Sequence, residues 1–318
     1  MKELKILAVV VFFSLLVYYG VEPFAHSKMH KHVEGEGFAY KDLPALTKKG
    51  DPAKGKELVM GAGACIGCHG IKVEGMDAPM DPVSAADSFG VNPPDLSTAG
   101  ALYDPRFLAA LIKNPAHALK VEHKFDPEKG KMHPMPPFGG AGGDLDQEVA
   151  DMVAYLQSIA KKEEITPKEA FVSACGRCHA NRYAKYTQIG FIPKTKSNIK
   201  TNQDVELLKF QTQVGEYQNK LADYMGKLPP DLSIIIRARS EHFLETFVED
   251  PQSQLAGTAM PRVGLTKEGY EKVLSFLEET GDPSKKDRES LGPKVILFFL
   301  IFTVLAYFWK KDVWSKLH

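Results

Sequence analysis

All four cysteines of this 318-residue chain lie in two copies of one pattern, Cys65-Ile66-Gly67-Cys68-His69 and Cys175-Gly176-Arg177-Cys178-His179. The spacing sets two thiols about one helical turn apart, with an imidazole directly after the second. Such a pair can add to the two vinyl groups on one haem edge while the histidine turns onto the iron. Rival chemistries explain less. A dithiol redox pair does not need the histidine twice, a structural zinc would pool ligands from both pairs, and disulfides leave both histidines without a role. The sequence therefore predicts two covalently attached haem c groups, one on Cys65, Cys68 and His69 and one on Cys175, Cys178 and His179. Attachment of this kind is made outside the cytoplasm, which puts both motifs on the periplasmic side or its equivalent.

A haem with one histidine takes a sixth ligand or keeps an open position. Methionine is the expected partner in electron carriers, because His/Met ligation raises the reduction potential. An internal repeat singles out two methionines. Pro93-Pro94-Asp95-Leu96-Ser97 recurs as Pro229-Pro230-Asp231-Leu232-Ser233, and the same offset of 136 brings Phe107-Leu108 onto Phe243-Leu244 and Asn114-Pro115 onto Asp250-Pro251. Met135-Pro136 then answers Met260-Pro261, after a loop eleven residues longer in the first copy. Met135 and Met260 are the expected ligands; Met132 is the fallback in the first copy, and core packing is the competing use of any methionine. His117, His123, His133 and His242 have no match in the other copy and are expected to serve local hydrogen bonding. A proline carbonyl of the Pro-Pro-Asp-Leu-Ser segment is expected to accept the ring N–H of His69 or His179.

The elements that must position these residues read as helices. Asp51-Pro52 and Thr166-Pro167 each pair an N-cap residue with proline at the first helical position, and each helix leads into a haem motif. Middle helices start at Asp104-Pro105 and at Ser240 and stop before Pro115 and Pro251. Final helices follow Asp144, with Gln147 as a capping-box partner, and Thr266, with Gly281 as C-cap. The second copy carries about 26 more residues between Cys178 and Pro229. They predict an amphipathic helix from Asp204 to Met225 with Val205, Leu208, Val214, Tyr217 and Leu221 inward, serving as a haem cover or as a partner-docking surface. Residues 26–48, rich in histidine and lysine, read as a tether that need not fold, although His26, His30 and His32 are a conceivable metal set.

Two uncharged apolar runs, Ile6–Val21 and Val295–Trp309, bracket the chain. Each approaches the roughly 20 residues that cross a bilayer. No A-x-A cleavage signature follows the first, so it reads as an uncleaved anchor rather than a signal peptide. Tyr307 and Trp309, followed by Lys310, Lys311 and Lys316, put the second run's far end in the cytoplasm. Membrane lipid is thus an expected partner; nucleic acid is not, since the 40 basic and 40 acidic residues cancel and phosphate binding wants a basic face. The division expected is an anchor at 1–22, a tether at 23–47, domains at 48–160 and 166–290, an anchor at 293–309 and a tail at 310–318.

From residue 166 onward the sequence resembles cytochrome c1 of the quinol-oxidising cytochrome bc1 complex. The match runs through Cys175 to His179 with Tyr183 and Tyr186, Leu228 to Arg239, Ala259-Met260-Pro261 and Phe276-Leu277. It continues through Arg288, Gly292 and the Lys310 to Lys316 tail. Residues 48–160 are similar instead to a class I cytochrome c, as in dihaem c4-type proteins. The resemblance implies an all-α fold of two tandem class I cytochrome c domains flanked by transmembrane helices, with His179 and Met260 as axial ligands. It further implies a bacterial inner-membrane location, cytochrome b and Rieske iron–sulfur partners, and a soluble or membrane-bound cytochrome c acceptor. A dihaem subunit of a cytochrome oxidase and a dihaem peroxidase are the competing functions; paired methionines close both irons and speak against the peroxidase. The short link from Lys161 to Ile165 suggests a loosely held first domain, suited to meeting a diffusing acceptor, with electrons entering at the second site.

Overall fold

A computed structural model describes residues 2–29, 34–125, 130–160, 165–193 and 202–316. Helices α1 (Lys2–Leu16) and α2 (Glu22–Met29) flank a π-helical turn at Val17–Val21. The first unit holds α3 (Pro52–Met60), α4 (Pro82–Phe89), α5 (Ala99–Leu102), α6 (Pro105–Lys113), α7 (Pro115–Ala118) and α8 (Leu145–Ile159). The second holds α9 (Pro167–Phe171), α10 (Asn202–Met225), α11 (Ile235–Ala238), α12 (Glu241–Glu249), α13 (Pro251–Gln254) and α14 (Lys267–Gly281), and α15 (Lys285–Ser315) ends the chain. Among the described residues one small antiparallel pair, β1 (Tyr186–Thr187) with β2 (Gly190–Phe191), interrupts an otherwise helical fold.

Side-chain caps fix most helix starts where the sequence puts them. Asp51, Asp104, Asp144, Ser240 and Thr266 each accept from a first-turn amide, and Thr166 with Glu169 closes a full capping box. Gln147 differs from expectation. Its side chain donates to Lys49 O and Asp151 Oδ1 rather than back to the cap, so it ties the chain before α3 to α8. Gly281 also differs, being the last helical residue, with Asp282 as the cap.

The duplication is visible in the backbone. Asn114 and Asp250, at equivalent positions, share nearly the same conformation (φ −149°, ψ 89° and φ −146°, ψ 87°), each ending one helix and opening a one-turn successor at proline. In the first unit α3 crosses α8 so closely that a Cβ on Gly55 would stand 1.9 Å from Asp151 O.

Two expectations about looseness are overturned. The stretch read as an unfolded tether contributes Phe38, Tyr40 and Leu43, at 4%, 2% and 3% exposure, to the core of the second unit. The Phe38 ring packs on Tyr270 with centroids 5.0 Å apart, Tyr40 Oη donates to Leu265 O at 2.7 Å, and the Phe38 amide donates to Glu249. Burial of these rings outweighs the surrounding polarity. Nor does the first unit hang on its linker. Asp104 N donates to Gly264 O, Thr266 N to Leu102 O and Arg262 N to Leu119 O, each at 2.8–2.9 Å, so residues 262–266 lie along the first unit as an added strand-like edge. Gly264 permits this: its φ is +79°, and a Cβ there would overlap the Phe107 ring at 2.1 Å. Residues 161–164 of the linker lie outside the described residues, as do His30, His32 and the side chain of His26.

The inserted helix α10 is present, but only half of it turns inward. Tyr217 and Leu221 are fully buried, whereas Val205 and Leu208 are 64% and 62% exposed. The reason is its partner: α10 packs on α4 of the first unit, with Tyr217, Leu221 and Met225 clustered on Ala86. Beyond α4 its apolar stripe meets no packed cluster among the described residues.

Two helices, Glu3–Ala25 and Lys285–Ser315, are long and apolar enough to cross a membrane, and none of their apolar windows is buried. The second continues unbroken from near the end of α14 past Pro293, so the unit and its apolar helix are joined without a flexible linker.

Candidate haem sites

Each haem motif is held by the same set of bonds. His69 Nδ1 donates to Pro94 O at 2.7 Å, and His179 Nδ1 donates to Pro230 O at 2.8 Å. A carbonyl can only accept, so Nδ1 carries the proton and Nε2 keeps its lone pair for a metal. The second proline of each repeat is therefore the orienting group the sequence pointed to. Around it the match continues bond by bond. Leu96 N reaches Gly70 O as Leu232 N reaches Ala180 O, both at 2.9 Å. Val73 N reaches Ser97 Oγ as Tyr183 N reaches Ser233 Oγ, both at 3.1 Å. Asp95 takes the Lys72 amide as Asp231 takes that of Arg182, and each aspartate also accepts from its own serine amide at 2.9 Å. The Pro-Pro-Asp-Leu-Ser turn thus staples the residues just after each histidine.

Burial favours neutral donors at both sites. It holds the imidazoles of His69 and His179 below the ordinary histidine value, against the pull of the proline carbonyls, and Arg177 adds to the lowering at His69. It also pushes up the thiols of Cys65 and Cys178, and that of Cys175 to about 12. Two neutral sulfurs, as in thioethers, and a neutral imidazole suit such surroundings. The residues present fit a covalently held haem, with the histidine nitrogen free for iron. Among the described residues no group of three or more His, Cys, Asp or Glu is placed to hold a bare metal ion.

Cys65 packs in the first core beside Val59 and Met152, while Cys175 packs in the second with Phe171 and Tyr186. Gly176 is needed there, since a Cβ would lie 2.4 Å from Tyr186 Oη. Met135 and Met260 each lie in an irregular loop before the last helix of its unit. Met135 N donates to His133 Nδ1 at 3.2 Å, and Met260 N to Thr258 Oγ1 at 3.4 Å, each two residues upstream. Both are half-buried, and among the described residues neither joins a packed apolar cluster. Met152 and Met225 do. Met132, the fallback, is 67% exposed. His117 pairs with Glu122 at 2.9 Å, and His133 meets the Phe125 ring edge-on.

Sequence reasoning missed the residues that join the sites. Tyr103, from the first unit, donates to Ser173 O two residues before Cys175, and Thr98 Oγ1 donates to Ser173 Oγ at 3.1 Å. Tyr217 Oη donates to Arg177 O at 2.7 Å and accepts from Asn92 N at 3.2 Å. Gln188 Nε2 also reaches Cys178 O, and Gln218 of α10 donates to Gln188. No local pattern marks such contacts, because their partners lie 10 to 125 residues apart and three of them, to Asn92 and Ser173, cross between the units.

Comparison with known proteins gives one family match in each half of the chain. The cytochrome c family model matches residues 52–160, and the cytochrome C1 family model matches residues 265–317. The ammonia monooxygenase gamma subunit of Nitrosomonas europaea is 23% identical over 216 residues, covering 54% of this chain and 91% of that protein. Cytochrome c1 of Allochromatium vinosum is 22% identical over 235 residues, covering 56% of this chain and 92% of that protein. A chain of a hyperthermophilic respiratory Complex III is 24% identical, covering 48% of this chain and 75% of that one, with a TM-score of 0.35.

Proposed function

We propose that this chain, a cytochrome c1-type protein in which a cytochrome c domain precedes the c1-family region, binds two haem c groups and carries electrons within a quinol–cytochrome c oxidoreductase. Its donor is the Rieske iron–sulfur protein, its neighbour in the membrane is cytochrome b, and its acceptor is a periplasmic cytochrome c. The observation that carries this reading is the duplicated staple. Both histidines present Nδ1 to the second proline of a Pro-Pro-Asp-Leu-Ser turn, at 2.7 and 2.8 Å, and leave Nε2 for a metal.

Each bound haem would supply one-electron chemistry at its iron. The chain's own residues do the rest. Cys65 and Cys68, and Cys175 and Cys178, would hold the two haems covalently; His69 and His179 would each offer a nitrogen, and Met135 and Met260 a sulfur, to the iron. The proline carbonyls hold the ring planes and make the imidazoles more electron-rich. Sites in which the iron took both a histidine and a methionine would favour electron transfer over substrate turnover. The apolar helices at Glu3–Ala25 and Lys285–Ser315 anchor the protein, with the haem units on the periplasmic side.

Purification in mild detergent tests the assignment. Cytochrome b and a Rieske protein should copurify, and quinol should reduce the c-type absorption in a way that a quinol-site inhibitor blocks. Copurification with oxidase subunits instead, or peroxide turnover by the isolated chain, would count against it.

A further inference from the structure

Tyr217 lies on the inserted helix α10, has no exposed surface, and hydrogen-bonds both to the second haem motif and to Asn92, two residues before the carbonyl that accepts from His69. Its hydroxyl donates to Arg177 O, the carbonyl that precedes Cys178, at 2.7 Å. The same oxygen accepts the Asn92 amide at 3.2 Å. From Asn92 the chain runs through Pro93 to Pro94, whose carbonyl takes the His69 Nδ1 proton at 2.7 Å. Three hydrogen bonds and a short run of covalent bonds therefore join the second motif's cysteine turn to the first motif's histidine. Water has no access to the phenol, so the link is not interchanged with solvent.

The surroundings fit a link rather than a cover. α10 is clamped to the first unit by Lys220–Asp87 and by Lys124, which donates to Tyr224 O and Met225 O. Tyr217 shares its cluster with Ala86 of the first unit and with Cys178 and Ala259 of the second. The two motifs are neighbours across this seam.

We propose that Tyr217 is a positioning residue for electron transfer between the two haem sites, joining the Cys178 turn to the Asn92–Pro94 strand that orients His69. The inference rests on the dihaem reading above. One electron crosses per event, one iron being oxidised as the other is reduced. The phenol keeps its proton and is not itself oxidised. A tunnelling electron is better coupled through bonds and hydrogen bonds than across a gap, so loss of the hydroxyl slows the step without moving the haems apart.

The test uses the full-length protein isolated with its haems, comparing Tyr217→Phe with Thr98→Val. The second change also removes an inter-unit hydrogen bond, to Ser173, but one off the proposed path. Haem content per chain is measured first. Electrons are then injected by a pulse of soluble photoreductant, and their redistribution between the sites is followed, with Met135→His in every arm as a spectral mark. Hydrogen exchange at the Asn92 amide gives a readout independent of the haems. The expected result is two haems in every variant, several-fold slower redistribution in Tyr217→Phe alone, and Asn92 exchange faster by roughly fivefold, the worth of one ordinary hydrogen bond. Two haems with an unchanged rate in Tyr217→Phe overturns the inference alone. So does equal slowing in both variants, which would make Tyr217 only one of several docking contacts. A single haem per chain overturns the dihaem reading, and the inference with it.

Discussion

Truncating Phe38 tests whether residues 34–48 are a tether or part of the core. The ring is 4% exposed, packed at a tilt on Tyr270 and flanked by the Lys267 ammonium at 5.7 Å. Deleting a buried phenyl group of this kind costs about 3–5 kcal/mol. The backbone adds a second term. Phe38 sits at φ 61°, in the left-handed region, where any side chain is strained by about 1–2 kcal/mol. Alanine keeps that strain and glycine releases it, at the cost of greater freedom in the unfolded chain, about 0.5–1 kcal/mol. Phe38→Gly should therefore be the milder lesion, by about 0.5–1 kcal/mol, although it removes one more carbon. Local opening is read by the rate of trypsin cleavage after Lys41, an exposed residue whose neighbours Tyr40 and Asp42 bond into the fold. Relative to wild type, Phe38→Ala should be cleaved about two to three orders of magnitude faster, and Phe38→Gly less so. Equal cleavage of all three proteins would refute the packing argument. Faster cleavage of the glycine variant than of the alanine variant would refute the strain argument.

Other consequences follow from single contacts. Met135→Ala and Met260→Ala should each abolish half of the far-red methionine–iron absorption of the oxidised protein; retention of the full band in both would show that other residues ligate the irons. Gly264→Ala should destabilise the seam between the units by about 2–5 kcal/mol, from the left-handed φ together with overlap on Phe107, as measured by denaturant unfolding. Asp282 is buried and accepts two hydrogen bonds from Arg288, at 2.7 and 2.6 Å, which hold its carboxyl below the usual range. Its contribution is present in full above the unfolded value, about pH 4, and is lost as the pH falls through the lower folded value. The stability gap between wild type and Asp282→Asn should accordingly narrow only below about pH 4.

The sites were largely legible because their signals are local or repeated. Each haem motif is five consecutive residues, and the offset that aligned the Pro-Pro-Asp-Leu-Ser turns also located the carbonyl acceptors of both histidines. Helix starts were legible through Asp, Ser and Thr caps, whose bonds lie within one turn. What escaped the sequence is long-range packing. Phe38 and Tyr40 are lone aromatics in a polar run, at positive φ without glycine, so neither periodicity nor turn chemistry marks them. Tyr217 was placed on the inward face of α10, but its partners Asn92 and Arg177 lie 125 and 40 residues away. Val205 and Leu208 continue the same stripe and are exposed, because burial depends on where α4 ends, which the stripe does not encode. The linker length likewise said nothing of the edge that residues 262–266 lay along the first unit.

The account stands on two haem sites in one chain, and the intact mass of the purified protein tests that most directly. The mass should exceed that of the polypeptide by two haem groups resistant to acid–acetone extraction. Replacing Cys65 and Cys68 together by alanine should remove one group, and replacing Cys175 and Cys178 the other. An increment of a single haem in the unaltered protein, or a haem that acid–acetone extracts, would contradict the duplicated site on which every other conclusion depends.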